Sequence, residues 1–430
     1  LSCRLPTDFA DETKFCTQYP THRSSTFAAP QPGRSSRLYP MLAIQMDPVE
    51  ISADHSNHLY SIGDLAVFSV KTTRSESTSQ LSYRFTMDGK QVLEEGQLDF
   101  VGGIARVRFG LPEPGFLRLE VSDGDGHHLS VAAVGFDPLA IAPTSDRSSE
   151  FETFWAGARS DRNESPRVLI DRAETSLSNS AQTVYRILLE NTDESTIHCW
   201  LTVPNIPAPV PVILNIPGAG VGPVSPVSWY TKHGIAAFQM SVHDLGLDLP
   251  ESDYENQRTG DLVGYTTRGA EDPDCYYFHR TMIGAFTALD YLSSHPSISP
   301  DRIGITGSSQ GAGLSLLVAG LDSRVKALAV NVPTMCDHMG YTKGRPSGWP
   351  HFWRHFVPTH VHRTMACYDA AIAAQGICAP AFFSVGFLDQ TCPPTTVYAA
   401  YNSLKGCKSI QNHTKMAHAF PEAWYDDSAL

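Results

Sequence analysis

The sequence predicts an α/β protein in two parts. A small N-terminal β-sandwich comes first, and a three-layer sandwich around a mostly parallel sheet follows. Three observations carry this. The chain has 430 residues, more than one core usually organises, so two domains are expected. Residues 41–140 hold short alternating apolar runs broken by turn residues. Beyond residue 167, continuous apolar runs alternate with amphipathic patterns, as buried strands and crossover helices do.

Composition narrows the function classes. Apolar residues make up 42% and charged residues 18%, an ordinary globular balance. No run approaches the ~18–20 apolar residues of a membrane span, so no membrane partner is expected. The net charge of -13 is spread along the chain. It would repel phosphates, which argues against nucleic acid. The nine cysteines show no CxxC pair and no zinc-ribbon spacing, so no structural metal is expected. Cys3 with Cys16, and Cys392 with Cys407, are separated suitably for pairing, but isolated buried thiols are the preferred reading.

Residues 1–40 are polar and read as a surface arm. Within 41–140, LAVFSVKTT (65–73) puts Leu65 and Val67 on one face. LSYRFTMDGKQVLEEG (81–96) carries Asp88-Gly89, a strong hairpin signal. GIARVRFGL (103–111) sets Ala105, Val107 and Phe109 against Arg106 and Arg108. GFLRLEVSDGDG (115–126) alternates Leu117, Leu119 and Val121. The strand number and spacing suit an immunoglobulin-like sandwich. No constellation of catalytic residue types lies in it.

The catalytic part is expected over 141–430. DRSSEFETFWAGARS (146–160) reads as a helix, with Ser148 or Ser149 as cap and Phe151, Phe154 and Trp155 on one face. AQTVYRILLEN (181–191) and TIHCWLTVP (196–204) read as paired strands. PVPVILNIPG (209–218) and GIAAFQMSV (234–242) read as buried strands. RTMIGAFTALDYLSSHP (280–296) lines up Met282, Ala285, Phe286, Leu289 and Leu292, and Pro296 ends it. Strand, helix and strand patterns then follow to residue 389.

Gly307-Ser308-Ser309-Gln310-Gly311 fits G-x-S-x-G between a strand pattern and a helix pattern. A serine at such a turn needs small residues two positions away on either side. Ser309 has Gly307 and Gly311, whereas Ser308 would have Thr306 and Gln310. Ser309 is therefore the candidate nucleophile of an α/β-hydrolase. This fold orders its residues Ser, then Asp or Glu, then His. Asp389 ends the strand pattern FFSVGFLD, and His418 follows the last strand pattern near the start of a last helical segment. His413, inside that strand pattern, is the fallback base. Oxyanion donors are expected from the backbone of Gln310 and of Ala219, the latter in the PGAGVG loop (217–222).

These residues resemble the acetyl xylan esterases of the cephalosporin-C deacetylase type. The resemblance rests on SSQGAGLSLLVAGLDSRVKAL (308–328), on the helix–strand unit 279–307 and on GFLDQTCPPTTVYAAYN (386–402). VNVPTMCDHMGYTKGRPSGWPHFWR (330–354), PGFLRLEV and FETFWAGAR are similar to a subgroup with an N-terminal β-sandwich. The match spans about 50–425. It implies removal of acetyl groups from xylan or xylo-oligosaccharides by Ser309, Asp389 and His418, without metal or cofactor. It also implies secretion or a periplasmic location, and many family members oligomerise. The chain departs from the family at Pro217-Gly218 and Ala417-His418, where His-Gly and Gly-His are usual.

The insertion at 348–363 holds aromatic and basic residues. Trp349 and Trp353 are candidates to stack on sugar faces, and Arg345 and Arg354 to meet a uronate branch. His351 and His355 share i, i+4 spacing but lack an intervening acid, so no metal is expected. Two other readings stay open: an acyl-CoA thioesterase or acyltransferase with the same two-part build, and a non-catalytic sugar-binding protein on a hydrolase scaffold.

Overall fold

The computed structural model describes residues 49–72, 81–164, 169–192, 194–352 and 359–421. Eight strands open it: β1 (Val49–Ala53), β2 (Leu59–Tyr60), β3 (Ala66–Thr72), β4 (Ser82–Met87), β5 (Gln91–Gln97), β6 (Ile104–Phe109), β7 (Gly115–Ser122) and β8 (His128–Phe136). One sheet has the order β1-β3-β6, and another β2-β8-β7-β4-β5. Both contribute to one hydrophobic cluster, which includes Phe68, Val70, Phe85, Leu117, Leu119 and Val121. Leu65 and Val67 share a face, but it is the outer one. Leu65 is 51% exposed, while Ala66, Phe68 and Val70 are buried. A one-residue change of phase turns a strand over. Asp88 and Gly89 have φ of 48° and 73°, and Lys90 N–H closes the turn onto Met87 O at 2.9 Å. Positive φ at both central residues matches the twist of a tight hairpin.

The helix α1 (Ser149–Glu164) follows. Ser148 is its cap, accepting from Phe151 N–H at 3.2 Å. Phe151, Phe154 and Trp155 are buried, and Trp155 Nε1 donates to Cys367 O at 2.8 Å. Then come β9 (Leu169–Glu174), β10 (Gln182–Glu190), β11 (Thr196–Pro204), β12 (Val210–Ile216), β13 (Ala236–Met240), α2 (Glu251–Thr259), α3 (Tyr277–Ser294), β14 (Ile298–Ser308), α4 (Gln310–Leu321) and β15 (Val325–Asn331). Last are α5 (His362–Cys367), α6 (Ala370–Ala374), β16 (Ala381–Gly386), α7 (Pro394–Ser403) and β17 (Lys408–His413). Residues 414–421 carry no helix.

These strands form a nine-stranded mixed sheet, order β17-β16-β15-β14-β12-β13-β11-β10-β9. β12 to β17 run parallel, and β9 to β11 extend them antiparallel. Val212, Leu214 and Ile216 of β12 and Ala236, Phe238 and Met240 of β13 share one core with the helices. The opposite face, at Ile213 and Ala237, is covered by Val227, Trp229, Tyr230 and Ile235. Among the described residues, the expected three layers are thus helices, sheet and a mainly irregular cover. Phe116, Ala133 and Ile141 belong to the helices' core, so apolar packing is continuous between the N-terminal sheets and the large one. The described residues belong to one compact unit. None of their helices is long and apolar enough to cross a membrane.

Cys392 and Cys407 are free thiols, so the pairing considered between them is not made. Ala381 N–H donates to Cys407 O at 3.0 Å, which puts Cys407 beside the start of β16. Cys392 lies beyond its end. Cys275 is disulfide-bonded. Cys3 and Cys16, and the arm at 1–40, lie outside the described residues.

Burial raises the Asp88 carboxyl from 3.8 to about 7. The folded state therefore holds this proton more tightly than the unfolded chain does. Stability from it is full below about pH 4 and lost as pH rises through about 7. Asp88→Asn lacks that loss. Its melting temperature is expected to gain a few degrees on the wild type across this window, read by calorimetry; a constant difference would contradict this.

Candidate active site

Strand β14 ends at Ser308 and helix α4 starts at Gln310, leaving Ser309 in the turn. Its φ is 54° and its ψ -120°, a strained conformation for a residue with a side chain. Close packing forces it. A Cβ on Gly311 would lie 1.9 Å from Ile216 O, and one on Gly307 2.4 Å from Gly311 C. Hydrogen bonds hold the turn: Ser309 N–H donates to Asn331 O at 2.9 Å, and Thr334 Oγ1 donates to Ser309 O at 3.1 Å. Ser308 is buried and accepts from Asn331 Nδ2 at 2.9 Å.

The structure brings Ser309, His418 and Asp389 together. His418 Nε2 lies 3.0 Å from Ser309 Oγ, and His418 Nδ1 2.8 Å from Asp389 Oδ2. A carboxylate accepts, so Nδ1 carries the proton and neutral Nε2 accepts from the serine hydroxyl. Asp389 is buried. Its Oδ1 accepts from Thr391 N–H and Cys392 N–H, each at 2.8 Å. The loops carrying the acid and the histidine interlock, with Leu388 N–H donating to Met416 O at 3.0 Å. Gly386 permits this, since a Cβ there would lie 2.5 Å from Met416 O. Asn331 Nδ2 also donates to Ala419 O at 3.1 Å, tying the histidine loop to the serine turn. His413 ends β17, with its carbonyl accepting from Phe387 and Met416 N–H. Burial lowers its pKa. Cys392 Sγ lies within 4.8 Å of the Asp389 and His418 donor atoms. Burial raises the pKa of this thiol.

The loop after β12 is held by side chains that no spacing in the sequence revealed. Gly220 N–H donates to Tyr265 Oη at 3.1 Å, and Tyr265 donates to Gln310 Oε1 at 2.8 Å. Gln310 is fully buried, and its Nε2 lies 3.4 Å from Gly218 O. His243 Nε2 lies 3.0 Å from Gly220 O, and His243 Nδ1 2.6 Å from Tyr277 Oη. Burial lowers His243 to about 4, so it is neutral. A carbonyl only accepts, hence Nε2 donates to it and Nδ1 accepts from Tyr277. Both polar groups of Gly220 are thereby fixed, and Ala219 sits between Gly220 and Gly218. The N–H of Gln310 opens α4 and has no carbonyl one turn back.

The other candidates have contacts of their own or lie outside the described residues. Arg345, expected at a uronate, donates to Ala142 O and Thr144 Oγ1 and pairs with Asp337 at 3.1 Å. Burial raises the pKa of Asp337, and the Arg345 charge beside it acts against that rise. Trp349 packs against the main core, its ring centroid 6.4 Å from Phe278. Trp353, Arg354 and His355 lie outside the described residues, and His351 lies in irregular chain.

The family model of acetyl xylan esterase (AXE1) matches residues 140–429. The chain belongs to the acetyl xylan esterase family. It is a hydrolase of carboxylic esters, a serine carbohydrate esterase that removes acetyl groups through an acetyl-enzyme intermediate. It is 30% identical over 373 residues to the acetyl esterase Axe7A of Xylanibacter ruminicola, covering 83% of each chain. It resembles an acetyl xylan esterase from Paenibacillus sp. R4 at TM-score 0.56 and 25% identity, over 66% of this chain and 94% of that one. Acetyl xylan esterase 1 from Thermoanaerobacterium sp. JW/SL YS485 shares the fold at TM-score 0.55 and 24% identity, over 68% and 95%.

In this esterase, Tyr265→Phe leaves Gly220 N–H and Gln310 Oε1 without their shared partner. Leaving such buried groups unpaired costs about 1–3 kcal/mol. The expected result is a kcat for p-nitrophenyl acetate lower by about tenfold with KM little changed. Unaltered kcat would show that the loop does not depend on this contact.

Proposed function

We propose that Ser309 is the nucleophile, His418 the general base and Asp389 the residue that orients it, in the deacetylation of xylan or xylo-oligosaccharides. One observation carries this reading: the unbroken chain of contacts from Ser309 Oγ through His418, at 3.0 Å, to Asp389, at 2.8 Å. His418 takes the serine proton as Oγ attacks the acetyl carbonyl. Backbone N–H groups of Gln310 and Ala219 hold the oxyanion. The sugar hydroxyl leaves with the proton from His418, and water repeats the cycle on the acetyl-serine. The fixed Gly220 and the buried Gln310 side chain support the oxyanion assignment, because donors must be preorganised.

In this reading, the N-terminal sheets are an immunoglobulin-like sandwich over 41–140, and 141–430 is the catalytic domain. Trp349, half-buried at the edge of the main core, is the candidate to stack on a sugar face. The enzyme works outside the cytoplasm, in a secreted or periplasmic setting. The disulfide at Cys275 supports that, since such bonds persist in oxidising compartments. Homo-oligomerisation is open to a sizing experiment.

Ser309→Ala is expected to lose at least about 10⁴-fold in p-nitrophenyl acetate hydrolysis, while Ser308→Ala loses less than about tenfold. Wild type should release acetate from acetylated xylo-oligosaccharides and leave acetyl-CoA intact. Full activity in Ser309→Ala, or turnover of acetyl-CoA alone, would overturn the assignment.

A further inference from the structure

The segment that carries Asp389 is braced from outside the catalytic sheet. It runs from Gly386 at the end of β16 to Pro394 at the start of α7. Strand β7 alternates. Leu117, Leu119 and Val121 face the N-terminal core, while Phe116 turns toward the main one. The Phe116 ring meets Phe387 edge-on with centroids 4.9 Å apart. Arg118, two residues along β7 and so on the same side, donates from Nη1 to Leu388 O at 3.2 Å. The β4–β5 turn supplies two more contacts. Gly89 lies against Gln390, whose Nε2 would be 2.4 Å from any Cβ there. Asp88 Oδ2 accepts from Thr395 Oγ1, and both residues are buried.

The Arg118 contact falls at a sensitive place. Leu388 C=O and Asp389 N–H belong to one planar peptide group. Fixing that carbonyl fixes the plane from which Asp389 departs. The carboxylate is aimed by N–H groups of the same segment, Thr391 and Cys392, so its direction follows from this backbone. Arg118 is itself held, with Nε donating to Glu120 Oε1 at 2.8 Å. Its side chain is 12% exposed, so water replaces the contact poorly.

The geometry points to Arg118 as a positioning residue of the esterase: from the N-terminal sheet it fixes the peptide plane before Asp389, and through it the orientation of His418. This rests on the proposed role of Asp389. A merely structural arginine would alter melting without acting through that carboxylate.

A double-mutant cycle separates the two. Arg118→Met keeps the apolar stem and removes the donor; Arg118→Lys keeps a donor. Each is made alone and with Asp389→Ala, and kcat, KM and melting temperature are measured with p-nitrophenyl acetate. Arg118→Met is expected to lower kcat about tenfold with KM within about twofold, and Arg118→Lys to recover most of it. On Asp389→Ala, Arg118→Met should change kcat no further. Full kcat in Arg118→Met, or a loss that multiplies that of Asp389→Ala, overturns the proposal while leaving Asp389 in its role. Full kcat in Asp389→Ala overturns that role and this proposal together. If Arg118→Met does not fold, Arg118→Gln, whose shorter side chain does not reach Leu388 O, enters the same cycle with the same deciding outcomes.

Discussion

At Ser309 a strand and a helix meet at contact distance, and the site depends on that collision. Gly311 leaves no room for a methyl group beside Ile216 O, and Gly307 leaves none beside Gly311. The backbone between them takes φ 54°, which costs about 1–3 kcal/mol for a residue with a side chain. Hydrogen bonds offset this: Ser309 N–H donates to Asn331 O, and Ser309 O accepts from Ala312, Gly313 and Thr334. The turn lifts Oγ clear of the sheet toward His418. It also makes Gln310 the first helical residue, so its N–H is free of helix bonding while its side chain reaches the loop after β12.

What the sequence shows and hides follows from distance along the chain. The Ser309 register was legible because its determinants, Gly307 and Gly311, lie two residues away. Asp389 was legible because it ends a strand pattern, and His418 because it follows one. Of the two caps open in the sequence, Ser148 and Ser149, the fold takes Ser148, and the buried faces of α1 and β7 were legible by the same local logic. The bracing of Gly220 was not. Tyr265, His243, Tyr277 and Gln310 are scattered over sixty-odd residues, and nothing in their spacing joins them. The pairing of Arg345 with Asp337 was hidden too, because Asp337 becomes buried only in the fold. The face of β3 was ambiguous because Leu65 is as apolar as Phe68, and only packing against the second sheet chooses between phases.

The two parts of the chain share more than a linker. Phe116 stands in the main core beside Phe387 and Tyr398, and Asn402 Nδ2 donates to Pro138 O and Ile141 O at the junction. The loops that carry the acid and the histidine also bond to each other. The geometry at Ser309 is thus set from three directions: the strand–helix collision beneath it, the fixed loop after β12 beside it, and the braced acid and histidine loops above.

Peptide mapping of protein quenched during p-nitrophenyl acetate turnover tests the role of Ser309 most directly. One acetyl group on Ser309, formed as fast as the first p-nitrophenol is released and removed as turnover proceeds, is the expected result. Turnover with no acetylated serine, or with the acetyl group on Ser308, would contradict it.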